Sequence, residues 1–160
     1  MKSFALLVGK AIEAVVVLIL TAMSILVFLN VVLRYGFNSS INITEEVSRY
    51  MFVWLAFLGA ILAFSENHHV SVTILTHKLS EKGRNLLGIV TDIAMLFCCY
   101  LIVEGGWIQF QLNLSNYAPI SRLPQGITYL AAVVAGALIG VLIIARLVTR
   151  IGLVFKGETK

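Results

Sequence analysis

AIEAVVVLILTAMSILVFLNVVL, residues 11–33, carries one charged side chain, Glu13, near its start and none after it. About 20 mostly apolar residues take a helix across roughly 30 Å of hydrocarbon. Lipid offers no partner to a free backbone N–H or C=O, so a segment at that depth must be helical. The same reading applies to residues 47–64, 86–110 and 127–145. Hydrophobic residues make up 59% of the 160-residue chain and charged residues 12%, about half the charged share of a soluble domain. The expected fold is all-α, an integral membrane four-helix bundle spanning 1–160 as a single transmembrane domain. The first run is far longer than the roughly 7–15 apolar residues of a signal peptide, so it reads as an uncleaved span.

The connecting segments suggest an orientation. Lys2 and Lys10 precede the first span, Lys78, Lys82 and Arg84 lie between the second and third, and Arg146, Arg150, Lys156 and Lys160 follow the fourth. Arg34, Arg49 and Arg122 fall on the other side. Lys and Arg accumulate on cytoplasmic loops, which places both termini and the middle loop in the cytoplasm of a multi-pass inner-membrane protein. The net charge of +4 follows from this asymmetry and makes no case for a nucleic-acid partner.

The middle loop, SENHHVSVTILTHKLSEKGRN (residues 65–85), is more than a turn. Val70 and Ile74, with Lys78 or Leu79, recur at helical spacing, with His77, Glu81 and Lys82 on a polar face. That pattern predicts a short amphipathic cytoplasmic interfacial helix over about 70–82, anchored to headgroups by His69, Lys78 and Lys82. In the first outer loop, Gly36, Asn38, Ser39 and Ser40 are turn formers, and Asn42 or Thr44 can cap the second helix. Glu45 and Glu46 then occupy its first turn. Either acid pairs with Arg49 along one helix face, or Arg49 makes a polar contact with another subunit. The second outer loop holds Pro119 and Pro124, with Trp107 and Tyr117 as interfacial aromatics.

Few residues invite chemistry. Glu13 and Glu104 lie near span ends, whereas Asp92 is about 12 Å along the helix from Arg84 and is the acid deepest in an apolar run. Asp92 and Glu104 sit too far apart to form a carboxylate pair, so Asp92 is expected to make a buried polar contact to another helix. Cys98 and Cys99 are adjacent and deep in the third span, where packing is their expected role. His68, His69 and His77 lie in the middle loop, outside the hydrocarbon, which argues against haem held between spans. Small residues four apart, Ala132, Gly136 and Gly140 in the fourth span and Ala56 and Ala60 in the second, allow close helix approach. No nucleophile–base pair and no phosphate-binding glycine loop stand out, so neither an enzyme nor a cofactor is expected.

The run EEVSRYMFVWLAFLGAILAF, residues 45–64, resembles the signature of the small membrane subunit, the Q subunit, of tripartite ATP-independent periplasmic (TRAP) transporters. The matching residues are Arg34-Tyr35, Glu45-Glu46, Arg49, Trp54 and Phe57-Leu58-Gly59-Ala60, then His69-Val70-Ser71-Val72 and Pro124. Thr73 stands where the family carries an acid. The resemblance implies a scaffold subunit packed against a large transmembrane transport subunit, with a periplasmic substrate-binding protein docking from outside. It further implies sodium-coupled import of an organic acid of the C4-dicarboxylate or sialic acid class. Arg34, Glu45, Glu46, Arg49, Trp54 and Gly59 become candidate subunit-interface residues. Two other classes remain open: a small four-helix multidrug exporter with Glu13 as its functional acid, and the membrane anchor of a redox enzyme.

Overall fold

The computed structural model describes residues 2–37, 41–66 and 81–157. Helix α1 spans Lys2–Gly36, α2 Asn42–Glu66, α3 Glu81–Leu112 and α4 Gly126–Gly157. All four are long and apolar enough to cross a membrane. Each apolar run lies wholly inside one helix. The fold is an all-α membrane helical bundle. Every helix outruns its apolar stretch at one or both ends, because propagation adds a backbone hydrogen bond per residue once a helix exists.

Among the described residues the helices pack in the spatial order α1–α2–α4–α3, and the α3–α4 pairing is the most extensive. The reason lies in α4, where Ala131, Ala135, Gly136, Gly140 and Ile143 are buried. Gly136 lies against α3 so closely that an added Cβ would meet Val103 Cγ2 at 3.0 Å and the Cys99 carbonyl at 3.4 Å. Ala135 instead joins Leu58 and Ile61 of α2 in a core flanked by Ile12, Val16 and Ile19 of α1. Small residues thus give α4 two close faces, as dispersion-driven packing in lipid requires. The buried alanines are Ala131 and Ala135, whereas Ala132 of the sequence stripe is half-buried. Gly59 is different: a Cβ there would meet nothing within 4 Å, so that side of α2 is open.

The expected surface helix over 70–82 falls on residues outside the description as far as residue 80, and Glu81 and Lys82 open α3. His68, His69, His77 and Lys78 likewise lie outside the described residues.

Candidate functional site

Among the described residues, polar groups gather at three places. The first is at the end of the molecule where α3 starts and α4 finishes. Asp92, 1% exposed, is the one buried charged side chain among the described residues. Arg146 Nη2 donates to Asp92 Oδ1, and Arg150 Nη1 lies 3.5 Å from Oδ2. Arg146 and Arg150 are four apart, so one turn of α4 brings both to the same carboxylate. Arg150 crosses α3 over Gly88, where an added Cβ would collide with its guanidinium. The Arg146 guanidinium also lies 5.1 Å from the Phe64 ring centroid, in cation–π range. Helices α2, α3 and α4 therefore meet at one ionic cluster. Its carboxylate is enclosed by the two guanidinium groups, which leaves it no opening for a transported solute.

The second place is the opposite end, where residues 113–125 link α3 to α4. The Ala118 N–H donates to the Leu123 carbonyl at 2.8 Å, and the Gln125 N–H to the Asn116 carbonyl at 2.8 Å. Tyr117 and Pro124 form an isolated antiparallel bridge. The turn is closed by Arg122 at φ 54°, a left-handed conformation that is uncommon outside glycine and strains an arginine. Glu46 of α2 holds this turn in place: its carboxylate accepts from the Ser121 N–H at 2.7 Å and the Ile120 N–H at 3.3 Å. The Tyr50 hydroxyl, one turn further on, donates to the Leu123 carbonyl at 3.4 Å. The pattern of side chains offered Arg49 as the partner of Glu46, but backbone N–H groups take that place. Neither Glu45 nor Glu46 forms an ion pair with Arg49 among the described residues, and Arg49 is exposed.

The third place is a cavity of about 390 Å³ between the end of α1 and the start of α2. Arg34, Tyr35 and Glu45 stand on its walls with Val27 and Val31. Asn30 borders it too and accepts the Ile41 N–H at 3.2 Å, which fixes the entry into α2. Trp54, by contrast, packs against the internal core of Leu58, Ile61 and Ala135. Glu13 and Glu104 are exposed on helix surfaces. Cys98 and Cys99 are both free thiols, the first exposed and the second buried.

Residues 23–152 match the family model described as "Tripartite ATP-independent periplasmic transporters, DctQ component". The chain belongs to the TRAP small-permease family. It is similar, at 62% identity over 160 residues covering 100% of this chain and 99% of the relative, to a Haemophilus influenzae protein described as a TRAP transporter small permease. It is also similar to the C4-dicarboxylate TRAP transporter small permease DctQ of Vibrio cholerae, at 30% identity over 59% of this chain and 41% of that one. A third relative is the sialic acid TRAP transporter small permease SiaQ of the same organism, at 30% identity over 50% of this chain and 46% of that one. The small permease is thus a multi-pass inner-membrane component of a transporter and not an enzyme. Its partners are a large permease subunit and a periplasmic binding protein.

Proposed function

We propose that the small permease is the immobile scaffold of a sodium-coupled importer of an organic acid, with both termini in the cytoplasm. The observation behind the scaffold role is the Asp92–Arg146–Arg150 cluster, whose charges are directed at one another. A moving or substrate-binding element keeps its polar groups available to solute; here they tie α3 to α4. The organic-acid reading draws on the relatives, whose names assign them C4-dicarboxylate and sialic acid. Both are carboxylates, and the residues that choose between such substrates belong to the partner chains. Sodium coupling follows from the resemblance to the family.

The face offered to the large subunit includes Arg49 and the open side of α2 at Gly59, because Glu46 and Trp54 are engaged within the chain. Arg49 sits at the hydrocarbon edge, where an unpartnered charge is costly. The test is reconstitution in liposomes. Uptake of an organic acid driven by a sodium gradient is expected only with the large subunit and binding protein present. Uptake by this chain alone refutes the scaffold role. Arg49→Ala is expected to lower co-purification of the large subunit by roughly tenfold or more, with Arg49→Lys intermediate because it keeps charge but loses the planar fork. Wild-type yield and uptake in Arg49→Ala would remove Arg49 from the interface.

A further inference from the structure

Arg34 and Glu45 share the α1–α2 cavity without forming an ion pair among the described residues. Among the described residues neither charge has an opposite charge within ion-pair distance. The recess has a charged part and an apolar part. Arg34 and Tyr35 lie at the end of α1, and Tyr35 is 81% exposed there, where an interfacial aromatic belongs. Val31 and Val27 continue one and two turns further along α1, and both are about half exposed. The cavity therefore opens towards lipid along α1, whose hydrophobic window contains no buried residue.

We propose that this recess binds a zwitterionic phospholipid whose headgroup carries a phosphate and a primary ammonium. Arg34 takes the phosphate, Glu45 the ammonium, and an acyl chain lies along Val31 and Val27. Charge matching selects this class. An anionic lipid satisfies Arg34 but faces Glu45 with a like charge, whereas a zwitterion neutralises both and adds no net charge. The apolar stretch selects a lipid over a soluble phosphorylated amine. A guanidinium–phosphate contact is charge-assisted and among the stronger hydrogen bonds.

The test uses the small permease purified with its large subunit and analysed by native mass spectrometry after bulk lipid is stripped. Dioleoyl phosphatidylethanolamine and dioleoyl phosphatidylglycerol are then titrated in. Wild type is expected to retain the ethanolamine lipid preferentially. Arg34→Gln should weaken retention of both lipids about tenfold or more. Glu45→Gln should keep phospholipid binding but erase the preference for ethanolamine. Arg122→Asn removes a cation at the same end of the molecule, outside the recess, and should change neither. Should Arg34→Gln fail to fold, Val31→Trp obstructs the apolar part with both charges intact and should still expel the lipid. Equal retention of the two lipids by wild type, or wild-type retention in Arg34→Gln, overturns the proposal. So does displacement by glycerophosphoethanolamine, which would reassign the recess to a soluble amine. Loss of the large subunit from Arg34→Gln at unchanged lipid count also overturns it and gives the recess to that subunit.

Discussion

Asp92 shows how strongly one side chain can depend on its neighbours. Its carboxylate is buried, and its two guanidinium partners come from a single turn of α4. Removing one member of a buried pair leaves the other charge uncompensated, which is worse than removing both. Arg146→Gln leaves Asp92 only the 3.5 Å contact to Arg150 and is expected to destabilise the chain by about 2 kcal/mol, less than the loss of a sole partner would cost, read as a lower midpoint for unfolding in mixed micelles. Asp92→Asn combined with Arg146→Gln should recover part of that loss, so the two effects will not add. Additive losses would mean that the pair is not coupled. Glu46 is a second case. Its glutamine variant keeps a single acceptor and turns an N–H donor towards two backbone N–H groups. Glu46→Gln should loosen the 118–124 turn by about 1–2 kcal/mol, seen as faster tryptic cleavage after Arg122. Unchanged cleavage would show that the carboxylate does not hold the turn. These two sites were unequally legible. Asp92 stands out in the sequence as an acid deep in an apolar run, but Arg146 reads there as one more flanking cation of the fourth span. The partner of Glu46 leaves no side-chain signal, because backbone donors of a distant loop are the same whatever residues carry them.

At the scale of elements, all four helices can be read directly, since length and apolarity settle which segments cross a membrane. Their pairing is harder to read, because lipid is as apolar as leucine and hydrophobicity does not say which helix faces which. Small residues carry what information there is. The fourth-span stripe points to close approach, yet Gly136 and Ala135 serve different neighbours, and only the fold separates them. Gly136→Leu should force α3 from α4 and destabilise the chain by about 2 kcal/mol. Gly59→Leu has open space to occupy, so the isolated chain should unfold as wild type does. If that open side of α2 faces the large subunit, the same variant should reduce assembly with it. A Gly59→Leu chain that is itself destabilised would contradict the open face.

For the whole molecule, orientation decides which polar features face the binding protein. If both termini lie in the cytoplasm, as proposed, the turn closed by Arg122 and the α1–α2 recess face the periplasm. In a background lacking Cys98 and Cys99, a cysteine at Ser115 should react with a membrane-impermeant maleimide in intact cells, and one at Thr149 should not. The reverse pattern would invert the molecule.

The ionic cluster also bears on how the chain is made. Asp92 and Arg146 are 54 residues apart, so α3 leaves the ribosome well before either of its arginines. During that interval an acid about two turns inside the span, costly to insert though less so than the about 3 kcal/mol it would cost at the helix centre, waits in the translocon without its counter-charge. Helix α3 should therefore be held at the lateral gate until α4 arrives, and the two should enter lipid together as a hairpin. A nascent chain stopped before Arg146 would then insert α3 poorly, and extending it past Arg150 would restore insertion.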